Sequence, residues 1–358
     1  MPLVSLELRN FRIYEHILLK PDRHLNLISG LNASGKTSLL EAINLLGTGR
    51  SFRTSQTEQL RRAGSSELSV VGKLQEEGGE TARLSLVCGK EGRRMSLNGL
   101  EQRHVSSLAL QFPLQVISPD THYDFLQNAK FRRAVLDWGL FHVEPHFLDI
   151  WTRFRRILHQ RNAVLKMRYR QNAQYAWDEE LTEAVEKLQA ARSNQVEKLL
   201  PHFQSCCQQI LGENQQVDLI LESGWNENER FGERLRLDRA RDIARGFTHS
   251  GPQRADLLIF INGQESKQNA SHGQHKALVI ALRLAQIQYL LETINKSCCL
   301  LIDDLAAELD FEHRARLTNF LSNLPVQAFI TTTESTLIDR ESWSSYKTFH
   351  VEQGVISG

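Results

Sequence analysis

The sequence predicts an α/β protein into which a mainly helical lobe is inserted. Residues 1–122 and 246–358 combine short apolar runs typical of strands with stretches of helical spacing. Residues 123–245, between them, are mostly helical in pattern, highly charged and poor in glycine and proline. In the first segment, Gly30–Thr37 reads G-x-x-x-x-G-K-T, the motif of a phosphate-binding P-loop. We therefore expect residues 1–122 and 246–358 to build one α/β domain around the inserted lobe.

The composition excludes several classes of protein. The 358 residues carry 43 Lys and Arg against 42 Asp and Glu, so the net charge alone indicates no partner. Of the 43 cations 31 are Arg, whose planar guanidinium suits bidentate contacts with phosphate. The five cysteines lack the spacing of a zinc site, and neighbouring cysteines cannot readily bridge each other. With a charged N-terminus and no apolar run near the ~18 residues of a membrane span, we expect a cytoplasmic protein.

The P-loop lies in the strand–loop–helix context that the motif requires. Residues 1–29 alternate between apolar and polar, which predicts two or three strands, with a turn at Leu8–Arg12 that exposes two arginines. After the loop, residues 38–46 have the apolar spacing of a helix. In this arrangement backbone N–H groups and a helix N-terminus point at a polyphosphate. A chance glycine turn is the alternative, and the flanking strand and helix count against it.

The motif assigns contacts to the residues of the loop. Gly30 and Gly35 allow unusual backbone angles and a close approach to the ligand, Lys36 would reach the β- and γ-phosphates, and the Thr37 hydroxyl would bind Mg²⁺. We therefore expect ATP and Mg²⁺ as ligands. The residues predicted to bind the nucleotide here are Gly30, Leu31, Asn32, Ala33, Ser34, Gly35, Lys36, Thr37 and Ser38.

Further strands and helices are expected along the chain. Residues 68–100 alternate with a hairpin turn at Asn98-Gly99, and Leu110–Ile117 predicts another strand. In the helical lobe, Lys130–Arg170 holds ten Lys or Arg and three acids, with aromatic residues between them. The later elements predicted are helices at Asp178–Leu200, Glu227–Arg245 and 272–295, and strands at Val217–Leu221, Leu257–Ile261, Cys298–Ile302 and Val326–Ile330.

An acidic pair follows one of the buried strands. Four apolar residues precede Asp303 and Asp304, so Asp303 should emerge at the carboxyl end of a core strand, where a P-loop protein holds its metal. Asp304 would then polarise the attacking water. A solvated acid pair or a helix cap is the alternative, since Asp often begins helices.

A third element, Ser271-His272-Gly273-Gln274, precedes the long helix before the acidic pair. By itself it predicts a helix N-cap. Its position resembles the signature motif of ABC-type ATPases, in which Ser271, Gly273 and Gln274 would bind the γ-phosphate held by a partner subunit. Ala306–Asp310 resembles the D-loop of that class. The resemblance implies an ABC-type ATPase head that forms a homodimer around ATP.

Five runs of the chain carry a closer resemblance within this class: Leu8–Arg12, the P-loop, Arg133–Gly139, Gly251–Leu257 and Ile302–Asp310. In these runs the chain resembles the RecF family of bacterial recombination mediators. The resemblance implies an ATP-dependent DNA clamp that dimerises on ATP, is released by weak DNA-stimulated hydrolysis, loads recombinase at single-strand gaps, and acts in DNA repair, replication and the SOS response. It also implies RecR-type and RecO-type partners, and single-stranded or gapped DNA as substrate.

The residues that sense the γ-phosphate and that contact the water or the metal do not follow directly from the resemblance. Thr331–Thr333 stand near the place where ABC transporters have a switch histidine, so the γ-phosphate sensor is unassigned. Gln115, shortly before Ser118-Pro119, is the candidate for the glutamine that contacts the water or the metal. In the Gly251–Leu257 run, Gln253 and Ala255 replace the His and Asp that the family pattern leads us to expect.

Clustered arginines are the candidates for DNA contact. The alternative is that they lie on solvated helix faces or pair with the acidic residues near the start of the 178–200 helix. No helix-turn-helix or zinc-finger pattern occurs, so we expect binding to the phosphate backbone that weakens with salt. The arginines predicted to contact DNA are Arg50, Arg53, Arg132, Arg133, Arg155 and Arg156.

Two other functions compete with the clamp. A small-molecule P-loop kinase would explain the P-loop but not the signature-like and D-loop-like runs. The ATPase subunit of an ABC transporter, or another P-loop NTPase that does not act on DNA, would explain those runs. The basic helical insert and the missing switch histidine count against a transporter subunit, and stimulation of ATP hydrolysis by DNA would discriminate the two.

Overall fold

The chain folds into two compact units. In the computed structural model, residues 2–75, 79–167, 177–212, 215–226 and 228–358 are described. The first unit comprises Met1–His122, Gln209–Leu211 and Ile294–Gly358, and the second comprises Tyr123–Gln208 and Gly212–Thr293. Residues 246–293 therefore pack with the helical segment, whereas the sequence analysis assigned them to the α/β domain. One cause is the ion pair between Arg132 and Asp256, which ties strand 256–261 to that segment.

The elements of the described residues are as follows. The strands are β1 (Leu3–Phe11), β2 (Tyr14–Leu19), β3 (Leu25–Ser29), β4 (Leu68–Gln75), β5 (Thr81–Gly89), β6 (Gly92–Leu97), β7 (Leu100–Glu101), β8 (Leu114–Ile117), β9 (Val217–Glu222), β10 (Asp256–Ile261), β11 (Gln264–Glu265), β12 (Cys299–Ile302), β13 (Gln327–Thr332), β14 (Tyr346–Glu352) and β15 (Val355–Ser357). The helices are α1 (Lys36–Thr48), α2 (Val105–Gln111), α3 (Pro119–Gln127), α4 (Ala129–Val143), α5 (Phe147–Lys166), α6 (Asp178–Leu211), α7 (Phe231–Leu237), α8 (Arg239–Arg245), α9 (Ser266–Asn269), α10 (His272–Ile294), α11 (Leu305–Glu308) and α12 (Phe311–Ser322).

An antiparallel sheet forms one half of the first unit. Its strand order is β2-β1-β4-β5-β6-β7. The predicted hairpin at Asn98-Gly99 is confirmed: φ is 52° at Asn98 and 82° at Gly99, and Leu97 pairs with Leu100. These are the left-handed angles that a two-residue turn between antiparallel strands requires.

A mixed sheet in the order β15-β14-β3-β13-β12-β8 forms the other half. All neighbours are parallel except β14 and β15. Every residue of β3, β12 and β13 is buried, as expected for central parallel strands. Helix α1 shares one hydrophobic core with both sheets of this unit. Because parallel strands end at the same edge, this sheet brings the ends of β3 and β12 together.

Several predicted elements differ from those observed. Leu110 and Gln111 lie in helix α2, and strand β8 begins only at Leu114. Helix α6 continues through Pro201 to Leu211, since its apolar positions continue at helical spacing beyond the proline. The helix predicted over Glu227–Arg245 is two short helices, α7 and α8, and Glu227 lies outside the described residues. Strands β14 and β15 were not predicted because their alternation is short and largely exposed.

The second unit contains two antiparallel helices, α5 and α6. Arg161 and Arg153 on α5 pair with Asp178 and Glu183 on α6, so the two helices run antiparallel. Their apolar faces share one core. Three of the described cations of residues 130–170 are therefore paired with carboxylates within the unit: Arg132, Arg153 and Arg161. Arg168, Tyr169 and Arg170 lie outside the described residues. A small antiparallel sheet in the order β11-β10-β9 completes this unit.

Two expectations about the protein's class can be compared with the structure. All five cysteines are buried and free of disulfides. Helix α10 is long and apolar enough to span a membrane, with a mean hydropathy of 1.4 over its most apolar window, contrary to the expectation from sequence. Of that window 67% is buried inside the protein, as in the core helix of a soluble domain.

Candidate nucleotide-binding site

The P-loop leaves the buried strand β3 and enters helix α1 through two strained glycines. Gly30 has φ of 150°, and a Cβ there would lie 2.3 Å from the Val351 carbonyl oxygen. Gly35 has φ of 121°, and a Cβ there would lie 2.6 Å from Ile13 Cδ1. The Tyr14 hydroxyl donates to the Gly35 carbonyl at 2.9 Å. Only glycine fits both positions, so the spacing of the motif follows from backbone geometry.

Two side chains of the P-loop, Lys36 and Ser34, carry hydrogen-bond donors inside the loop. The Lys36 ammonium donates to the carbonyl oxygens of Gly30 at 2.7 Å and Leu31 at 2.8 Å. Burial lowers the pKa of Lys36, and the charges of Asp304 and Asp303 oppose this shift. The buried Ser34 hydroxyl has no hydrogen-bond partner among the described residues. A polyphosphate is a ligand that could satisfy both groups, so the loop fits the predicted nucleotide.

Asp303 lies where the sequence predicted a metal ligand. The Thr37 hydroxyl donates to its Oδ1 at 2.9 Å and lies 3.0 Å from Oδ2. The Thr331 hydroxyl donates to Oδ1 at 2.8 Å. Burial raises the pKa of Asp303, while the hydrogen bonds from Thr331 and Thr37 favour the charged form. A hydroxyl and a carboxylate at this distance are the oxygen ligands that Mg²⁺ prefers, so these residues fit a metal between them.

Asp304 is held in an unusual backbone conformation beside this carboxylate. Its φ is 52°, in the left-handed region, and its N–H donates to the Thr331 hydroxyl at 2.8 Å. Asp304, Asp303 and Thr331 line one cavity of about 590 Å³ together with P-loop residues. Thr331 therefore has an assigned contact: it bridges the two acids. Thr331 lies at the carboxyl end of the buried strand that pairs with β12. That position in the sequence pattern could have identified Thr331 as a residue of the site.

Arg12 and Glu41 form a pair that the sequence analysis missed. Arg12, predicted to be exposed, donates from Nε to Glu41 Oε2 and from a terminal nitrogen to Oε1, both at 2.8 Å. Glu41 on α1 is fully buried. Its Oε1 also accepts from the hydroxyl of Ser51, which in turn accepts from the N–H of Arg53 at 2.9 Å. Glu41 stands within the apolar pattern of α1, and this pattern could have indicated a buried carboxylate that needs a basic partner.

Gln115 lies away from the predicted contact with water or metal. It is 2% exposed and pairs with Leu300 in the middle of the mixed sheet. Strand β8 runs two residues further, to Ile117, before reaching the edge where Asp303 emerges. Gln115 is also absent from the described residues that line the nucleotide cavity. The structure therefore gives no support to its assignment as a catalytic residue.

Comparison with known proteins now decides the family. The family model "RecF/RecN/SMC N terminal domain" matches residues 2–357. The "DNA replication and repair protein RecF" of Thioalkalivibrio sulfidiphilus is 40% identical over 357 residues, covering 99% of both chains. The chain belongs to the RecF family. A protein of the same description from Vibrio cholerae is 38% identical over 362 residues, again covering 99% of both.

Solved structures agree with the RecF assignment. The "recombination mediator protein RecF-ATP in RecFOR pathway" matches with a TM-score of 0.88 and 26% identity, covering 99% of this chain and 97% of that one. An Smc head bound to the C-winged helix domain of ScpA matches with a TM-score of 0.64 and 15% identity, covering 99% and 96%. The latter likeness shows the fold alone. The predicted ABC-type ATPase head is confirmed.

The signature-like residues of this RecF chain lie in the second unit. The Ser271 N–H donates to Gln274 Oε1 at 2.9 Å, and the Gln274 N–H donates to the Ser271 hydroxyl at 3.2 Å. This reciprocal pair caps the N-terminus of α10. Ser271 and Gly273 are exposed, and among the described residues no atom lies within 4 Å of a Cβ added at Gly273. The cap thus leaves an open helix N-terminus for an anion to approach.

The arginines predicted to contact DNA divide into two groups. Arg132 is 6% exposed and pairs with Asp256 at 2.6 Å, and Arg133 donates to the Ala255 carbonyl at 2.6 Å. These contacts hold α4 to the segment that begins β10, which corrects the DNA assignment of Arg132 and Arg133. The remaining four are exposed and keep their assignment as predictions: Arg50, Arg53, Arg155 and Arg156.

Proposed function

We propose that this protein is an ATP-dependent DNA-binding clamp that acts in DNA replication, repair and recombination. Its RecF relatives are described as DNA replication and repair proteins, and the matched structure is described as a recombination mediator bound to ATP. The contact between Thr37 and Asp303 carries the proposal, because the two side chains predicted to bind the metal lie within hydrogen-bond distance of each other. We place the protein in the cytoplasm, with gapped or single-stranded DNA as its substrate and RecO-type and RecR-type proteins as partners. Recombinase loading at gaps and SOS induction follow from that role.

The residues of the first unit divide the work of ATP binding and hydrolysis. The N–H groups of the P-loop, Lys36 and Ser34 hold the phosphates, and Thr37 and Asp303 hold Mg²⁺. Bound Mg²⁺ would neutralise charge on the β- and γ-phosphate oxygens. Asp304 accepts a hydrogen bond from the attacking water. The Thr331 hydroxyl keeps Asp304 in place by accepting a hydrogen bond from the Asp304 N–H.

A second copy of the chain is required to complete the site. The open N-terminus of α10, with the exposed hydroxyl of Ser271 and the open space beside Gly273, can donate to an anion. We assign this anion as the γ-phosphate held by the partner subunit, as in the signature motif of ABC-type ATPases. Gln274 stabilises the cap. ATP thereby joins two subunits, and hydrolysis separates them.

DNA is held through its backbone. Arg50 and Arg53 lie in the loop after α1, and Arg155 and Arg156 lie on the exposed face of α5. Arg155 also stacks over the ring of Trp151, with 4.9 Å between the guanidinium carbon and the ring centroid. Arginines on an exposed surface bind phosphates without reading sequence, so binding should weaken steeply with salt.

The experiment that tests this function is ATP hydrolysis with and without gapped DNA. The wild-type protein is expected to hydrolyse ATP slowly and to be stimulated by gapped DNA, while Lys36→Met shows neither activity. Hydrolysis by the wild type that is indifferent to DNA would instead favour an ABC-type ATPase that does not act on DNA. Transfer of phosphate to a small molecule would favour a kinase.

A further inference from the structure

A second cavity lies beside the nucleotide cavity and has a different lining. It measures about 530 Å³, within the range of small-ligand sites, and is formed by the end of α1, the loop after it, and strands β5 and β6. We call it the arginine cavity. Its described lining residues include no acid, and they are Leu45, Gly49, Arg50, Ser51, Phe52, Arg53, Thr54, Ser55, Thr57, Leu60, Cys88 and Arg93.

No carboxylate of the described lining neutralises the charge of the arginine cavity. Half-buried arginines elsewhere, such as Arg153 and Arg316, pair with Glu183 and Glu312. The Arg50 guanidinium has no hydrogen bond or ion pair among the described residues, although its carbonyl accepts from Asn44 Nδ2 at 2.6 Å. The loop is therefore fixed through its backbone. Arg93 donates to the Gly49 carbonyl at 2.5 Å, and Arg53 interacts with the charge of Asp303 in the nucleotide cavity, but the described lining of the arginine cavity holds no carboxylate. Such an arrangement suits an external anion.

The floor of the same cavity is apolar. Leu45, Leu60 and Cys88 are each 2% exposed, and Phe52 is partly buried against the same core. Burial raises the pKa of Cys88, so its thiol stays neutral and acts as an apolar surface. A ligand that satisfies the whole lining has a planar apolar part and an anionic part. A nucleotide has both.

We propose that the arginine cavity binds one unpaired nucleotide of single-stranded DNA. The base packs against Phe52 and the apolar floor, and the adjoining phosphates contact Arg50 and Arg93. This inference rests on the proposed DNA function and adds to it a specific subsite, which would let the clamp favour gaps over intact duplex. A base in a duplex is stacked and paired, so it cannot enter the cavity without being extruded.

Strand β6 offers a matched pair of variants to test the proposal. Arg93 and Arg94 are adjacent and exposed, and side chains alternate along a strand, so only Arg93 lines the cavity. We would measure the affinity of a thymidine oligonucleotide for the wild type, Arg93→Gln, Arg94→Gln and Phe52→Leu, with ATP and Mg²⁺ in every sample. Phe52→Leu keeps apolar bulk and removes the aromatic ring. Thermal unfolding and ATP affinity are measured in parallel.

The expected result separates the two kinds of contact. Phe52→Leu weakens oligonucleotide binding about five-fold or more, since base stacking is lost. Arg93→Gln weakens binding and lowers the slope of log affinity against log salt by about 0.7, the value for one phosphate of a single strand. Arg94→Gln binds like the wild type, and ATP affinity is unchanged in all three. If Phe52→Leu unfolds, the comparison of Arg93 with Arg94 decides the proposal.

Other outcomes overturn the proposal in distinguishable ways. If the wild type binds the oligonucleotide but Arg93→Gln and Arg94→Gln bind it equally well, the cavity is not a nucleotide subsite and DNA binding stands. If the wild type binds no DNA, both the subsite and the proposed function are overturned. If free thymidine monophosphate binds the wild type as tightly as the oligonucleotide does, the cavity is a site for a free nucleotide instead.

Discussion

The Thr37 hydroxyl lies 2.9 Å from Oδ1 of Asp303, although the two residues are 266 positions apart in the chain. The parallel pairing of β3 with β13 and of β13 with β12 brings them together at one edge of the mixed sheet. The P-loop follows β3 and the acidic pair follows β12, so the order of strands determines the metal site. The metal site formed by this contact is the basis for the expected effects of changes at Asp303 and Asp304.

Lys36→Met is expected to weaken ATP binding by about 10-fold or more, because a hydrogen bond from a charged donor contributes about 1.5–3 kcal/mol. The ammonium lies against the carbonyls of Gly30 and Leu31, inside the loop, and no other lysine lines the nucleotide cavity in the described part of the chain. Calorimetric titration with ATP is the measurement. Lys73→Met, on the antiparallel sheet, is the control and should bind normally. Tight ATP binding by Lys36→Met would contradict the P-loop assignment.

The ionisation of Asp303 should make the rate of ATP hydrolysis depend on pH. Burial raises the pKa of this carboxyl, and only its ionised form binds Mg²⁺. Because the pKa is raised, activity that depends on Mg²⁺ should decline on acidification at a pH above that of an ordinary Asp, about 3.9. The measurement is the rate of hydrolysis against pH at sub-saturating Mg²⁺, because saturating Mg²⁺ would itself favour the ionised carboxylate. Asp303→Asn should remove the Mg²⁺-dependent activity throughout, and full activity in this variant would refute the role of Asp303.

Asp304→Asn should separate ATP binding from hydrolysis. The change removes a proton acceptor from the water, so hydrolysis is expected to fall by about 10²–10⁴-fold. The N–H of residue 304 still donates to Thr331, so the loop keeps its shape. Sedimentation with ATP should then show a persistent dimer, and single-turnover kinetics should show slow cleavage. Turnover at the wild-type rate would exclude Asp304 as the base.

Ser271→Arg should prevent dimerisation while leaving ATP binding intact. The long side chain would fill the open space at the N-terminus of α10, which the proposal assigns to the partner's γ-phosphate. Ser271→Ala is the control, because it removes the cap, at a cost of about 1 kcal/mol, but adds no bulk. Sedimentation with ATP is compared for both. Dimers of Ser271→Arg at the wild-type level would contradict the role in trans.

The buried ion pairs of the second unit should dominate its stability. Arg161 is 1% exposed and pairs with Asp178 at 2.9 Å and with Asp242 at 2.8 Å. Arg161→Met removes the guanidinium from both carboxylates, which keep only Arg239 and His249 among the described residues, and we expect the free energy of unfolding to fall by about 3 kcal/mol. Urea unfolding measures the change. Arg153→Met, on the same helix but at the surface, should leave the midpoint nearly unchanged, and equal effects of the two variants would refute this account.

Sequence patterns predicted the site residues that local chemistry requires. The glycines of the P-loop are required by backbone angles, and Asp303 follows a strand whose four residues are all buried. Both signals are local, so they can be read without the fold. The Asn98-Gly99 turn was predictable for the same reason, because few residues adopt its left-handed angles.

Contacts between distant elements were not predictable in this way. Arg12 was expected to be exposed, since its partner Glu41 lies on another element and no local pattern links the two residues. Arg132 belonged to a run of basic residues, and only the fold shows that Asp256 neutralises it. Gln115 was chosen by its place shortly before Ser118-Pro119, whereas the pairing of β8 with β12 places it inside the sheet. Charge and spacing alone cannot reveal such partners.

The most direct test of the central claim is DNA binding with and without ATP, measured at low and moderate salt together with sedimentation. The account predicts that ATP converts the monomer into a dimer, and that this dimer binds gapped DNA tightly, with an affinity that falls steeply as salt rises. A dimer that forms on ATP but is indifferent to DNA would contradict the clamp, while leaving the ATPase head intact.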